Sequence, residues 1–267
     1  MNIFTAPFFA LFSIPFYRQA LQARVWKAVQ YALFLSAVST ALVMFQLTRV
    51  GVPEADRFVD WLQSQMPVIT LTSEGLSMDR ESPFSIVHEE FGPLATFDLS
   101  KKEAGARDME NIFVYVTAGK IYLQQAAGDI RAYNVQDFID RNQERLAQGP
   151  LAMSPDTIGR FYKTVKPWFL VLMTIVVFLF DAVVLLVGGL LLSWIGLVLN
   201  MSRVPPLSYG ALYTASIFAL TAGTVFTWLG TLLPPLGAIP FGYVISVILN
   251  IAYLFVAVRM TTETKSA

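Results

Sequence analysis

Three long tracts of the chain carry almost no charge. Residues 28–48, 168–202 and 204–258 together hold one charged side chain, Asp181. Between the first and second tracts, residues 49–166 carry 13 Lys/Arg and 17 Asp/Glu. A spanning helix needs about 20 predominantly apolar residues, so the tracts predict four transmembrane helices. The first occupies residues 26–48. The other three lie within 167–258: one beginning at Trp168 behind the helix-interrupting Pro167, one over Tyr209–Leu232, and one over Ile239–Val258 after a proline-rich turn at 232–240. As one straight helix, Trp168–Asn200 would measure about 50 Å against a hydrocarbon core of about 30 Å. A bend near Gly188–Gly189, with "SWIGLVLN" emerging at the interface, is therefore expected.

The charged block, residues 49–166, reads as a small α+β domain. Asp56–Gln65 has apolar residues at 58, 59, 61 and 62, a helical spacing that Pro67 ends. "VITLTSEGLSM" alternates around a "SEG" turn and predicts a β-hairpin. "FSIVHEE", "LATFDLS", "IFVYVTAGKIYLQQ" and "IRAYNV" continue in strand-like patterns, with "AGK" and "AGD" as turns. "NVQDFIDRNQERLAQ" predicts a helix capped by Asn134, and "SPDTIGRFYKTVK" starts another, leading back to the apolar tracts. The fold class expected is an α-helical integral membrane protein with four transmembrane helices and an inserted α+β extracytoplasmic domain.

Orientation follows from Lys and Arg in the short flanks. Arg18, Arg24 and Lys27 precede the first span, Arg203 separates the second from the third, and Arg259 and Lys265 follow the fourth in the tail 259–267. All six share one face if both termini are cytoplasmic, which puts residues 49–166 outside. Residues 1–25 contain Phe4, Phe8, Phe9, Phe12 and Phe16, but Pro7 and Pro15 and the absence of a basic start argue against a cleaved signal. An interfacial segment followed by an uncleaved signal anchor is expected.

Composition narrows the functional classes. Hydrophobic residues make up 55% of the 267 residues and charged residues 14%, with a mean hydropathy of +0.56 and zero formal net charge. A nucleic-acid binder would need a basic stripe, and none is present. The chain has no cysteine, which excludes disulfides, thiolate nucleophiles and Cys-ligated zinc. No nucleotide loop, HExxH motif or GxSxG elbow occurs, so no catalytic residue, metal site or cofactor is expected. His88, in "HEE", reads as a solvated strand end.

Asp181 stands out because an ionisable group near the bilayer centre is costly. The fourth span offers a polar stripe, Tyr243, Ser246, Asn250 and Tyr253, and an Asp181–Asn250 hydrogen bond is expected. Two readings stand side by side: a polar pair that fixes helix register, or a proton- or substrate-related role. The third span carries a small-residue ridge, Ala211, Ala215, Ala219, Gly223 and Thr227, which suits packing within the chain's own bundle or against a second copy.

The layout resembles a family of bacterial membrane proteins known as a domain of unknown function, which includes members linked to maltodextrin utilisation. The matching segments are "SIPFYRQAL" (Ser13–Leu21), "PVITLTSEGLSM" (Pro67–Met78), "TFDLS" (Thr96–Ser100), "VYVTAGKIYL" (Val114–Leu123) and the three C-terminal spans. The spans are also distantly similar to the Yip-type helical membrane proteins. The resemblance implies four spans with an extracytoplasmic α+β insertion and supplies no catalytic residues. The expected role is that of a non-enzymatic accessory protein of the bacterial inner membrane whose outer domain contacts a protein partner or an envelope component, with the lipid bilayer and a second copy of the chain as further expected contacts. The alternative is a small oligomeric transporter or lipid-handling protein centred on Asp181.

Overall fold

The computed structural model describes residues 2–109, 112–126, 129–233 and 241–259. Contacts divide the chain into two compact units, Met1–Pro53 with Trp168–Ala267, and Glu54–Pro167. The predicted turn at Pro234–Pro235, the start of the fourth span at Ile239, and Lys265 lie outside the described residues.

The first unit is helical. Two short helices, α1 (Ala6–Phe12) and α2 (Ile14–Leu21), precede α3 (Val25–Gln46). Helical backbone continues through a π-turn at Leu47–Gly51 into α4 (Val52–Gln65), which belongs mostly to the second unit. Later come α7 (Pro155–Asn200), α8 (Tyr209–Leu232) and α9 (Gly242–Arg259). Four helices, Val25–Gln65, Pro155–Asn200, Tyr209–Leu232 and Gly242–Arg259, are long and apolar enough to cross a membrane. By helix length and hydropathy this is a multi-pass membrane protein.

Helix α8 is the hub of the bundle. Its buried residues include Leu212, Ala215, Phe218, Ala219 and Gly223. Between spans there is no water to satisfy polar groups, so helix contacts rest on close packing and interhelical hydrogen bonds of about 0.6 kcal/mol each. Tyr31 on α3 shares a 2.7 Å hydrogen bond with Thr221 and lies 4.5 Å, centroid to centroid, from Phe218. The Trp228 indole donates to Ser39 at 2.7 Å. From the N-terminal segment, Ala6, Ala10, Phe16, Tyr17 and Ala20 join this core, while Phe4, Phe8 and Phe12 remain exposed. The predicted interfacial segment is thus two helices with one face buried in the bundle.

Helix α7 differs from expectation. It passes through Pro167 and through Gly188–Gly189 without interruption, as one helix of 46 residues. Pro167 removes one backbone donor, which a helix of this length carries. The paired glycines serve as contact points, not as a bend. A Cβ at Gly189 would collide with the Ile217 side chain, and one at Gly196 would touch Leu212 and Leu254.

The second unit contains two sheets. The expected hairpin forms as β1 (Ile69–Thr72) and β2 (Gly75–Met78), with Gly75 at φ +139° closing the turn. β8 (Leu151–Met153), which the sequence did not signal, adds to the other edge of β1 to give the order β2-β1-β8. The second sheet has the order β3-β4-β5-β6-β7: β3 (Phe84–His88), β4 (Gly92–Asp98), β5 (Val114–Thr117), β6 (Lys120–Ala126) and β7 (Asp129–Asn134). β4 and β5 run parallel, and the other pairs are antiparallel. The predicted helix after Asn134 divides into α5 (Val135–Arg141) and α6 (Gln143–Leu146). Asn134 holds the N-cap position with extended backbone, but its side chain makes no capping bond.

Candidate functional site

Alternation along the central strands of the five-stranded sheet sorts side chains onto two faces. Ala95 and Phe97 on β4 pair with Val114 and Val116 on β5, and Val116 pairs with Ile121 on β6. Their neighbours in register, Thr96, Asp98, Tyr115 and Tyr122, occupy the opposite, polar face. The register shifts between Ile86 and Val87, opposite Pro93–Ala95, which leaves Leu94 as an extra residue. Such a bulge re-aims side chains, and Leu94 joins the apolar face.

That face walls a cavity of about 760 Å³ within the second unit. The three-stranded sheet contributes Ile69, Leu71, Leu76 and Leu151–Met153, α4 contributes Phe58 and Leu62, α5 contributes Phe138, and the start of α7 contributes Thr157 and Ile158. Among the described residues, the Thr157 hydroxyl is the sole polar side chain in the lining, and no charged residue reaches it. The volume falls in the range of small-molecule sites, about 300–1,000 Å³. Ile86, Phe97 and Val116, themselves part of the lining, are the buried core of this wall; burial of such side chains contributes about 1.5–3 kcal/mol each. Phe113, Phe138 and Met153 combine exposure of 55%, 41% and 50% with a place in the lining, so the cavity opens to the surface. Chemically it can hold an apolar chain or ring and nothing that needs a counter-charge.

Among the predicted intramembrane residues, Asp181 and Asn250 are not joined. The Asn250 Oδ1 accepts the Gly223 backbone N–H at 2.8 Å. A Cβ at Gly223 would collide with Ser246 Oγ and come within 2.6 Å of the Asn250 amide, so Ser246, Asn250 and Gly223 form the α8–α9 contact. Tyr253 donates to the Leu11 carbonyl at 3.0 Å, and Tyr243 is exposed. Asp181 is half-buried and makes no hydrogen bond or ion pair among the described residues. The predicted polar stripe is therefore divided among separate contacts. Of the small-residue ridge, Ala215, Ala219 and Gly223 are buried inside the chain's own bundle, Ala211 is half-buried and Thr227 is exposed.

Residues 4–258 match the family model described as "Protein of unknown function (DUF1189)". The chain belongs to the DUF1189 family. No curated protein and no solved structure matches it. In this DUF1189 chain the turn after β4, Asp98-Leu99-Ser100, anchors the polar face of the sheet. Asp98, only 5% exposed, accepts from the Ser100 hydroxyl at 2.5 Å and from Tyr115 Oη at 3.2 Å. Lys101 Nζ lies 3.5 Å from Asp98 and 3.0 Å from Asp108. The Ser100 hydrogen bond, followed by those of Tyr115 and Lys101, holds the Asp98 carboxyl below the usual range against its burial. Asp108 is held low by the Gly105 backbone N–H and then by Lys101. These groups satisfy one another around the turn, and the network braces the strand pair whose other face lines the cavity.

The cavity was not visible as a site from the sequence. Its signal was the alternation in "LATFD" and "VYV", which reads equally as ordinary core.

Proposed function

We propose that this chain is a non-enzymatic accessory protein of the bacterial inner membrane whose inserted domain takes up an acyl chain of an envelope component. The observation that carries the reading is the cavity of about 760 Å³ lined by aliphatic and aromatic side chains with one hydroxyl. Burying an acyl chain there gains about 0.8 kcal/mol per CH₂, and no polar wall opposes it. The domain, Glu54–Pro167, is joined in sequence to the apolar tracts 28–48 and 168–202, so acyl chains are the abundant apolar molecules beside it. Arg18, Arg24, Lys27, Arg203 and Arg259 in the short flanks support both termini being cytoplasmic and the domain outside.

Native mass spectrometry of the full chain, released from detergent, tests this. The wild type is expected to retain one acyl-bearing molecule that Ala95→Phe, which puts a phenyl ring into the cavity, does not retain. Equal lipid retention by both proteins, with Ala95→Phe still folded by circular dichroism, contradicts the reading.

A second reading, a small oligomeric transporter or lipid-handling protein centred on Asp181, is favoured by one observation. This half-buried carboxylate has no polar partner among the described residues of its own chain. Proton flux in liposomes that Asp181→Asn abolishes would support it.

A further inference from the structure

On the second unit a separate space of about 810 Å³ is lined by Glu54, Ala55, Arg57, Phe58, Trp61, His88, Glu89, Glu90 and Phe91. Helix α4 brings Glu54, Arg57, Phe58 and Trp61 to one face through their spacing of three and four. The end of β3 and the turn after it supply His88, Glu89, Glu90 and Phe91. The His88 ring lies 4.6 Å from Trp61, 4.8 Å from Phe91 and 5.7 Å from Phe58, centroid to centroid. The Glu90 backbone N–H donates to His88 Nδ1 at 3.1 Å, which fixes the ring against the turn. His88 ends β3 as expected, half-buried, and is also the centre of an aromatic cluster.

The charges around these rings are one-sided. Arg57 is engaged by Glu54 at 2.6 Å. Glu89 and Glu90 are exposed, and among the described residues their carboxylates meet no cation. Two unopposed carboxylates beside four aromatic rings disfavour an anion. They also disfavour a wholly apolar guest, which would gain nothing from them. Among the described residues no three His, Asp or Glu side chains converge as a metal site. The π-faces of Trp and Phe attract cations within about 6 Å, and aromatic clusters of this kind take up alkylammonium groups.

We propose that this aromatic and acidic pocket is a binding site for an organic ammonium ion of the choline or ethanolamine type, borne by a soluble amine or by a lipid headgroup. The proposal does not depend on the acyl-chain reading, because its probe is different and, among the described residues, the two linings share Phe58 alone.

The test uses the full chain in phosphatidylglycerol nanodiscs and follows the choline N-methyl resonance by saturation-transfer NMR. Choline is expected to bind about tenfold more tightly than its uncharged isostere 3,3-dimethylbutan-1-ol. Glu89→Gln with Glu90→Gln is expected to weaken choline about tenfold, and Trp61→Leu about fivefold. Because Glu89 and Glu90 are exposed, the double variant should keep the wild-type circular dichroism spectrum and melting temperature, which separates lost binding from lost folding. Weaker choline binding when phosphatidylethanolamine is added to the nanodiscs supports the site with a headgroup as source. Unaffected choline binding supports it with a soluble amine as source. The proposal is overturned if the isostere binds as well as choline, or if the folded double variant binds choline like the wild type.

Discussion

Replacing Asp181 by leucine should stabilise the helical unit. Asp181 lies 13 residues beyond Trp168, about 20 Å along a helix that rises about 1.5 Å per residue, which puts it deep in the span. It is half-buried, its neighbours Phe180 and Val184 are 67% and 50% exposed, and it makes no hydrogen bond within the described chain. The substitution therefore removes no hydrogen bond or ion pair within the described chain. An aspartate at the centre of a span costs about 2.5–3.5 kcal/mol on insertion scales. Half-burial within the chain and local bilayer thinning reduce that, so a gain of about 1–2 kcal/mol is expected for Asp181→Leu, with Asp181→Asn falling between. The assay is reversible unfolding of the full chain in mixed micelles, titrated with sodium dodecyl sulfate. A loss of more than about 1 kcal/mol in Asp181→Leu would refute the reasoning; it would mean that the carboxylate holds a partner outside this chain, and crosslinking of wild type and variant would then report an oligomer that the leucine breaks.

Other perturbations follow from contacts already described. Gly119→Ala places a Cβ 2.6 Å from the Lys102 backbone carbonyl, a group that also accepts the Thr117 hydroxyl at 2.9 Å. Backbone must shift, and a loss of about 2–3 kcal/mol is expected. Amide exchange over residues 113–126 reads it as a protection loss of more than about tenfold, and unchanged protection counts against the predicted clash. Gly223→Ala meets only the ends of Ser246 and Asn250, so it should cost about 1 kcal/mol, close to the cost of Asn250→Ala, in the same micelle titration. Asp56 accepts from Lys166 at 2.7 Å and from Tyr162 at 2.7 Å; the Lys166 bond, then that of Tyr162, lowers the Asp56 pKa, while burial and then Asp56 raise that of Tyr162 to about 12. The Asp56 contribution is present above the unfolded carboxylate pKa and is lost as pH falls through the lowered folded value. The Tyr162 contribution is complete below the unfolded phenol pKa near 10 and is lost as pH rises through about 12. Melting curves of Asp56→Asn against wild type should therefore converge at low pH, and a constant gap across the acid range would contradict the linkage.

The spans and the 69–78 hairpin were legible because each rests on a local pattern: uninterrupted apolar length in one case, alternation around a glycine at positive φ in the other. Features that depend on distant pairing were not. β8 has three residues, too few to show a period, and exists because β1 offers it an open edge. The cavity needs Ile86, Ala95, Phe97, Val114 and Val116 brought into register across three strands and then faced by a second sheet, which no single segment encodes. Asn250 was recognisable as a polar residue in a span, but its partner is the backbone of Gly223, exposed by a missing side chain. Pro167 and Gly188–Gly189 carry local breaking signals that a long continuous helix overrides. The aromatic cluster at His88 escaped notice because Phe58 and Trp61 lie some 30 positions earlier, in a segment whose pattern shows only helical spacing.

Photolabelling distinguishes an acyl chain held in the inserted domain from lipid contact confined to the spans. The full chain in nanodiscs is irradiated with a diazirine-bearing fatty acid, and the labelled peptides are mapped by mass spectrometry. Label on the cavity strands, residues 94–97 and 113–121, that disappears in folded Ala95→Phe while label on the spans persists, is the predicted result. Label confined to the spans in the wild type, or cavity-strand label unchanged by Ala95→Phe, would contradict the account.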